Sequence, residues 1–337
     1  MNPRRLSSVA VLVGLVVATS YTGTSLSHAA RPAAAHSHVA KRHALLHPSH
    51  KYYGLAESGG PYALNTFKSV GSKVGKQAKL LGYFKDWTHP FQVGINQKLC
   101  DAGVTPYMTW ESWSWENKQN GSPAFSQPKY APRRIANGFR GAYVRRTANQ
   151  IKQLHCTLML RFDHEMNGTW YPWGIKTAGM HNKARDDVKM WRHVWRVFHR
   201  QHVHNVIWVW SPNYLLSHGL GNLRALYPGN KYVDMVGIDG YLIFKGDNPK
   251  KVFGPIMHKL SHIARHKPWF LAETGAPNDG KQPGRIRMLL HKVATSKKLV
   301  AFVYLDEPGS RANWRFSNKP SSVSAFRAGI HQRAYGG

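Results

Sequence analysis

The chain has 337 residues, of which 42% are hydrophobic, so it can bury a sizeable core as one large domain or two ordinary ones. It carries 47 Lys and Arg residues against 16 Asp and Glu, a formal net charge of +31, which attracts polyanions. Beyond the N-terminal segment, no apolar run approaches the roughly 18 residues that a membrane-spanning helix needs.

Residues 1–29 have the pattern of a secretion signal peptide. Arg4 and Arg5 precede a short apolar stretch at 9–18, and Ser27-His28-Ala29 offers a small-residue cleavage site. That stretch is too short to span a membrane, although an uncleaved amphipathic anchor is the alternative. Residues 30–50, rich in Ala and His without a periodic pattern, predict a flexible leader. We therefore expect a secreted protein, associated with the cell wall if its charge binds wall polymer, with no transmembrane segment in the mature chain.

The basic residues are spread from Lys41 to Arg333, without a concentrated arm or a nucleic-acid-binding motif. Nucleic acid is therefore not an expected partner. For an exported protein, an anionic cell-wall polymer matches the positive charge better. A basic surface that only keeps the protein soluble explains the composition equally well, and both interpretations stay open.

From Lys51 onward, short apolar runs recur with helix-like or loop segments between them. Continuous apolar runs of this length are typical of strands that are covered on both faces. The runs are Tyr52–Ala56, Leu80–Phe84, Val104–Thr109, Thr157–Phe162, Val206–Trp210, Met235–Ile238, Trp269–Ala272 and Ala301–Leu305. Apolar residues at helical spacing predict a helix over Asp186–Gln201. Eight strands with helical crossovers fit a single (β/α)8 TIM barrel over residues 51–337 better than two domains.

The two cysteines each lie a few residues upstream of a predicted strand, the third for Cys100 and the fourth for Cys156. If those strands are parallel neighbours, both cysteines lie at the end of the barrel opposite Glu165. Export permits disulfides. A structural disulfide is therefore favoured over two free buried thiols.

In a TIM barrel the functional residues stand at the carboxyl ends of the strands. Acids, aromatic residues and amides collect at the ends of the predicted strands. They include Glu57, Asp86, Trp87, Trp110, Glu111, Trp113, Asp163, His164, Glu165, Asn213, Asp239, Tyr241, Glu273, Asp306 and Glu307. A structural core would not concentrate such residues at one end. Four tryptophans follow strands two and three: Trp87, Trp110, Trp113 and Trp115. They either fill the upper barrel layer or line a cleft, and we expect at least two to line one.

Glu165 follows the fourth strand, in "DHEMNGTWYPWG", and Glu273 follows the seventh, in "WFLAETGAP". These ends face each other across a barrel mouth, so the two carboxylates can flank one glycosidic bond. A general acid needs a raised pKa, which desolvation by the nearby aromatic rings, such as that of Trp170, would provide. The second carboxylate must stay ionised, and Tyr241 is a candidate hydrogen-bond donor to it. Either glutamate alone would more commonly be a salt-bridge partner or a helix cap.

His164-Glu165 could also indicate a metal site, because His-Glu begins a zinc-binding signature. That signature requires a histidine at position 168, where this chain has Gly168. We therefore expect neither a metal nor a cofactor.

The motifs "RFDHEMNGTWYPWG", "VWSPN", "VGIDGY" and "AETGAP", in this order, resemble glycoside hydrolase family 26, whose type members are β-mannanases. The resemblance covers roughly residues 50–335 and implies that Glu165 is the acid/base and Glu273 the nucleophile of a retaining enzyme. It further implies sugar contacts from His164 and Trp170, and a hydrogen bond from Tyr241 to the nucleophile. Trp314-Arg315 resembles the family's Trp-Arg pair that contacts sugar on the non-reducing side.

One departure concerns substrate. Where mannanases of the family tend to place a histidine behind Ser-Trp, this chain has Thr109-Trp110-Glu111, so Trp110 and Glu111 are expected at the substrate. We expect a retaining endo-β-glycanase acting on a β-linked polysaccharide, with β-1,4-mannan as the first choice. A β-1,3-1,4-glucanase or an exopolysaccharide hydrolase on the same fold is the first alternative. A non-catalytic, wall-associated carbohydrate-binding barrel is the second.

Overall fold

The computed structural model of the protein describes residues 41–116, 126–214, 221–309 and 312–337. Within these ranges, eight parallel strands close into one barrel in chain order, with the first strand paired to the eighth. Helices between the strands cover the outside of this barrel. The predicted single (β/α)8 TIM barrel is confirmed.

The strands match the predicted apolar runs, with one systematic difference. They are β1 Tyr52–Ala56, β2 Leu80–Asp86, β3 Thr105–Glu111, β4 Leu158–Phe162, β5 Val206–Trp210, β6 Met235–Asp239, β7 Trp269–Thr274 and β8 Leu299–Leu305. Four of them run past the last apolar residue to include Asp86, Glu111, Asp239 and Glu273. Hydrophobicity ends where the barrel mouth begins, but backbone pairing continues, so the acids are held on strands rather than on loops.

The helices are amphipathic and pack on the outer face of the sheet. In the described residues after β1 they are α1 Leu64–Val74, α2 Val93–Asp101, α3 Pro132–Ala136, α4 Gly141–Lys152, α5 Ala184–Arg200, α6 Leu223–Leu226, α7 Pro249–Ile263, α8 Gln282–Thr295 and α9 Pro320–Ile330. The helix predicted over Asp186–Gln201 corresponds to α5, whose Trp191 is buried, as its spacing indicated. None of the described helices is both long and apolar enough to span a membrane.

Two apolar layers form because side chains alternate between the two faces of each strand. One cluster fills the lumen of the barrel and includes Tyr52, Tyr107 and Phe270. The other lies between the strands and the helices and includes Tyr53 and Trp110. Whether a residue near the end of a strand faces the mouth or the helices therefore depends on its parity in the strand.

The segment before β1 differs in part from the predicted flexible leader. Residues 41–46 are helical, and Leu45 is buried. The Tyr52 hydroxyl donates to the Leu45 carbonyl at 2.8 Å, and Arg42 pairs with Asp234 at 2.5 Å. These contacts hold the segment against the barrel, so flexibility is not expected from residue 41 onward. The predicted signal peptide and the first part of the leader lie outside the described residues.

A disulfide joins Cys100 in α2 to Cys156 in the turn before β4, with 5.5 Å between their Cα atoms. The predicted pairing is confirmed. Cys100 comes shortly before β3 and Cys156 shortly before β4. The bond therefore lies at the amino-terminal end of the barrel, away from Glu165 and Glu273.

Replacing both cysteines with serine is expected to lower the free energy of unfolding by about 2–4 kcal/mol, because the bond closes a 56-residue separation in the unfolded chain. Urea denaturation of the wild type and of the Cys100→Ser/Cys156→Ser variant measures this difference. At a temperature where both are folded, the barrel mouth should be the same in both, since the disulfide lies at the far end of the barrel. Equal urea midpoints would show that the bond does not stabilise the fold.

Candidate active site

Glu165 lies on a constrained turn directly after β4. The backbone φ of Glu165 is 54° and that of Asp163 is 40°, values that residues other than glycine rarely adopt. The Asp163 carboxylate accepts from the Ser112 amide at 2.8 Å and from the Ser112 hydroxyl at 2.6 Å. The Glu165 amide donates to the Ser211 carbonyl at 2.7 Å. Ties to the ends of β3 and β5 thus hold the turn that presents the Glu165 carboxyl.

Both oxygens of Glu165 accept hydrogen bonds from neighbouring side chains. The Trp170 indole N–H donates to Oε2 at 2.5 Å, and Asn213 Nδ2 donates to Oε1 at 2.6 Å. Only 6% of Glu165 is exposed. Burial, and then the negative charge of Glu273, raise the pKa of Glu165 to about 7. A carboxyl group with this pKa can donate its proton near neutral pH.

Gly168 is required by the position of Trp170. A Cβ atom at residue 168 would lie 2.7 Å from the Trp170 ring. The residue that rules out the zinc signature thus leaves room for the indole that holds the acid.

Asn213 stands just after the fifth strand, but its position in the sequence predicted no role for it. Its backbone N–H donates to Asn167 Oδ1, and Asn167 Nδ2 donates to the Asn213 carbonyl, both at 2.9 Å. This reciprocal pair fixes the end of β5 beside the turn after β4. The position after a strand was the sequence signal, but its partner was not visible there.

Glu273 near the end of β7 is held by two donors. Arg161 donates to Oε2 at 2.5 Å, and the Tyr241 hydroxyl donates to Oε1. The Tyr241 hydrogen bond confirms the expectation from the sequence. The Glu273 side chain is 12% exposed. The Glu273 carboxyl group thus accepts hydrogen bonds from a cation and from a hydroxyl group.

Arg161, like Asn213, is a site residue that the sequence pattern did not predict. Its side chain is 1% exposed inside the barrel, where Nη1 pairs with Asp239 at 2.7 Å and Nε donates to the Thr109 hydroxyl at 2.8 Å. Asp239 also accepts from the Ser211 hydroxyl at 2.8 Å. An arginine within an apolar strand sequence was the available signal, because a buried guanidinium needs carboxylate partners.

Replacing Arg161 with methionine is expected to lower the free energy of unfolding by about 3–5 kcal/mol, because Asp239 and Glu273 lose their shared buried cation. Urea denaturation measures the loss. The double variant Arg161→Met/Asp239→Asn should recover part of it, since it removes one of the stranded charges. A single variant with the wild-type midpoint would contradict a stabilising ion pair.

His164 lies in an aromatic environment beside the acid. Its ring centroid is 4.7 Å from that of Tyr171 and 5.9 Å from that of Phe84, and the residue is 1% exposed. Burial, and then the charge of Arg161, lower the pKa of His164 well below its usual range. The imidazole is therefore neutral at physiological pH, and it adds no charge next to Glu165.

Two of the expected substrate contacts, Trp110 and Glu111, are not supported by the structure. Trp110 is fully buried in the outer layer, and its indole N–H donates to the Tyr143 hydroxyl at 3.2 Å. Thr109, one residue before it, faces the lumen, so alternation along β3 turns Trp110 toward the helices. Glu111 is 3% exposed, and its Oε2 accepts from the indoles of Trp113 and Trp115 at 3.1 and 2.8 Å. Glu111 therefore positions tryptophans instead of offering its carboxylate to a sugar.

Trp314 and Arg315 lie after β8, and the Trp314 ring is next to that of Tyr241. The Trp314 ring packs on Tyr241 with centroids 4.6 Å apart, and Trp314 is 4% exposed. Because Trp314 is buried, a role in supporting Tyr241 fits it better than the expected contact with sugar. Arg315 is half-buried, and its guanidinium donates to the Ser58 hydroxyl at 3.3 Å. Trp170 is also half-buried, directly at Glu165.

A cavity of about 420 Å³ opens at the carboxyl ends of β1 and β2. Its lining combines aromatic rings with carboxyl and amide groups, among them Glu57, Tyr62, Phe84, Asn96, Trp115 and Glu307. Of the four tryptophans after strands two and three, Trp115 lines it, whereas Trp87, Trp110 and Trp113 are buried. The expectation that at least two of the four line a cleft is therefore not met at this cavity, which only one of them lines.

Two carboxyl groups of the cavity have raised pKa values. Burial raises the pKa of Glu307, and the negative charge of Glu273 raises it further. Burial and the neighbouring Asp306 raise the pKa of Glu57 to about 9. Glu57 is therefore a neutral donor as well as an acceptor, a combination that suits sugar hydroxyl groups. Among the described residues, no cluster of three or more His, Cys, Asp or Glu has the arrangement of a metal site.

The family model described as glycosyl hydrolase family 26 matches residues 141–267, a range that contains Glu165. Endoglucanase H of Acetivibrio thermocellus is 26% identical over 280 residues, covering 79% of this chain and 29% of that protein. A mannan endo-1,4-beta-mannosidase A and B of Caldalkalibacillus mannanilyticus is 33% identical over 137 residues, covering 38% of this chain and 24% of that protein. The chain thus spans less than a third of the length of these relatives.

Solved structures show the same fold. A Bacillus subtilis mannanase has a TM-score of 0.63 at 18% identity, with 87% of this chain and 88% of that chain covered. The catalytic domain of a Bacillus sp. endo-beta-1,4-mannanase has a TM-score of 0.68 at 17% identity, with 89% and 90% covered. Together with the family match, these findings confirm the resemblance to glycoside hydrolase family 26.

Proposed function

We propose that this protein, a TIM barrel that resembles glycoside hydrolase family 26, is a secreted retaining endo-β-glycanase that hydrolyses β-1,4-mannan. The observation that carries the proposal is the contrast between its two carboxyl groups. Glu165 is buried, with a pKa raised to about 7, whereas Glu273 lies between the cation of Arg161 and the hydroxyl of Tyr241. Two acids with opposite environments suit a proton donor and a nucleophile.

In the first step, Glu273 attacks the anomeric carbon while Glu165 protonates the departing glycosidic oxygen. The C–O bond of the substrate breaks, and a glycosyl ester forms on Glu273. Esterification removes the Glu273 charge, which is one of the causes that raise the pKa of Glu165. The pKa of Glu165 then falls, so the same group can accept a proton from water. Water attacks the ester, releases the sugar with its configuration retained, and restores both groups.

The substrate assignment is supported by the relatives and by the cavity. Several curated relatives are mannan endo-1,4-beta-mannosidases. The cavity at the carboxyl ends of β1 and β2 offers aromatic faces, such as that of Trp115, together with the neutral carboxyl of Glu57. Pyranose rings present apolar faces and hydroxyl rims that such a lining can contact. The N-terminal sequence pattern supports secretion, and the proposed chemistry needs no metal or cofactor.

A β-1,3-1,4-glucanase is the second candidate. It is favoured by the similarity to Endoglucanase H, which extends over 79% of this chain. A carbohydrate-binding protein without activity fits less well, because binding requires the aromatic residues but not a pair of carboxyl groups with contrasting environments.

Reducing-sugar release by residues 30–337 from galactomannan, glucomannan, barley β-glucan and β-1,3-xylan tests the proposal. Release from the two mannans, lost in Glu165→Ala and in Glu273→Ala, is the expected result. Release from barley β-glucan alone would replace mannan with the second candidate. Binding without release, retained in both variants on affinity electrophoresis, would overturn catalysis.

A further inference from the structure

Helix α5 carries a continuous row of positive charge along its outer face. The row, here called the basic ridge, consists of Arg185, Lys189, Arg192, Arg196 and Arg200. Successive members are three or four residues apart, so they share one face of the helix and lie within an arc of roughly 80°. At a rise of about 1.5 Å per residue, the basic ridge is about 22 Å long.

The basic ridge is exposed and has little neutralising charge. Four of its members are exposed and Arg192 is half-buried. The acids of α5, Asp186 and Asp187, lie in its first turn, and Asp187 is buried. Arg185 approaches Asp186 at 3.9 Å, the limit of an ion pair.

Two other basic helices of the barrel carry cations that are paired with carboxylates. In α7, Lys251 pairs with Asp247 at 3.2 Å, and in α8, Arg285 pairs with Asp279 at 2.9 Å. Like charges at helical spacing repel one another, so five of them in a row destabilise an isolated helix. An anionic ligand would relieve that repulsion.

The surroundings of the basic ridge add charge but leave little aromatic surface free. His199 stacks on the Trp195 ring with centroids 4.9 Å apart, and Lys231 Nζ lies 5.9 Å from that ring's centroid. Arg192 and Arg196 both lie over the Tyr232 ring. Proteins that bind single-stranded nucleic acid offer open aromatic faces on which bases stack. This surface therefore favours a polyanion without bases.

We propose that the basic ridge binds a linear polyol-phosphate polymer of the cell wall and thereby holds the enzyme at the wall. Cations at intervals of about 4.5–6 Å along the helix match a chain that carries a phosphate on each short polyol unit. Four of the five members are arginines, whose planar guanidinium groups bind phosphate oxygens in a bidentate manner. The partner is thus chosen by charge, spacing and donor geometry.

The basic ridge is separate from the catalytic pair. Helix α5 connects β4 to β5 on the outside of the barrel, whereas Glu165 and Glu273 lie at the mouth. A polymer bound along α5 leaves the mouth open. The inference does not depend on the proposed hydrolysis, but it rests on the proposed secretion.

The test uses a synthetic glycerol-phosphate octamer, with an octagalacturonate and an octathymidylate as carboxylate and nucleic-acid comparisons, and measures fluorescence anisotropy at two salt concentrations. The variant Lys189→Gln/Arg196→Gln/Arg200→Gln removes three charges of the basic ridge. Each cation near an anionic surface strengthens binding roughly fivefold. This triple variant should therefore bind the glycerol phosphate about 100-fold more weakly than the wild type. The wild type should bind this octamer more tightly than either comparison, and less tightly as salt rises.

The matched control is Lys68→Gln/Lys98→Gln/Lys250→Gln, which removes three exposed cations from three other helices. It should stay within about threefold of the wild type, because long-range charge is screened at physiological salt. Equal losses in both triple variants would overturn the proposal in favour of net charge alone. Tighter binding of the octathymidylate or of the octagalacturonate, or no binding of the glycerol phosphate, would overturn it as well. Thermal unfolding checks that both variants are folded.

Discussion

Replacing Glu273 with alanine is expected to lower kcat/KM for soluble galactomannan by roughly 10⁴–10⁶-fold, because the variant has no group to form the covalent intermediate. Arg161 and Tyr241 would remain, but they stabilise a carboxylate that is no longer there. Initial rates of reducing-sugar release over a range of galactomannan concentrations measure the loss. The aromatic residues and the cavity are unchanged, so the affinity for mannan oligosaccharides should change by less than about tenfold.

Two further measurements separate a nucleophile from a group that only binds substrate. Azide or formate should partly restore the Glu273→Ala variant on an aryl β-mannoside by attacking from the side that the carboxylate occupied. With azide, the product would be a glycosyl azide of inverted configuration. The exposed Glu116 near the end of β3 provides the matched control, and Glu116→Ala should retain wild-type rates. A Glu273→Ala variant with more than a tenth of the wild-type rate would remove Glu273 from the mechanism.

Replacing Glu165 with glutamine is expected to remove the alkaline limb of the pH–rate profile and to lower the rate on galactomannan by roughly 10²–10⁴-fold. The raised pKa of about 7 means that Glu165 is largely protonated below pH 7 and loses its proton above it. The wild-type rate should therefore fall as pH rises through about 7. Glutamine neither donates a proton nor titrates, so this fall disappears from the variant. Rates between pH 5 and 9 measure both effects.

The leaving group provides a control for the role of Glu165. A dinitrophenyl β-mannoside needs no protonation as it departs, so Glu165→Gln should form the glycosyl-enzyme at close to the wild-type rate on this substrate. Trp170→Phe removes the indole N–H that lowers the pKa of Glu165, and the alkaline limb should then move to higher pH. An unchanged limb in Glu165→Gln would assign it to another group.

The carboxyl pair could be recognised from the sequence because two signals coincide there. Each glutamate follows a buried apolar run, and the carboxyl ends of parallel strands meet at one mouth. Trp170 and Tyr241 were expected beside the pair, and the structure places each of them against its carboxylate. These assignments depend on chain order and strand ends, which a sequence displays directly.

Trp110 shows where such reasoning fails. It stands near the end of β3, as a substrate-binding residue would, but alternation turns it into the layer under the helices. The sequence runs of barrel strands are apolar on both faces, so they do not reveal which parity faces the lumen. Arg161 was missed for the same reason, because its position on the lumen face became evident only with its partners.

The β7 strand adds a feature that no pattern in the sequence predicts. Phe270 and Ala272 belong to the lumen cluster and Leu271 to the outer layer, so strict alternation would turn Glu273 toward the helices. The pairing with β8 is irregular between Leu271 and Thr274, and Glu273 instead reaches Arg161 inside the barrel. Irregular pairing of this kind re-aims a side chain.

The sequence by itself therefore determined the barrel, its strand order, the disulfide and the two glutamates at the mouth. Each follows from local hydrophobicity or from the position of a residue relative to the end of a strand. Only the tertiary structure decided the environments that make the two carboxyl groups different: burial with Trp170 and Asn213 for Glu165, and the buried Arg161 for Glu273. The physical reason is that a pKa depends on groups brought together from β4, β5, β6 and β7, whose separations along the chain carry no information about their distances in space.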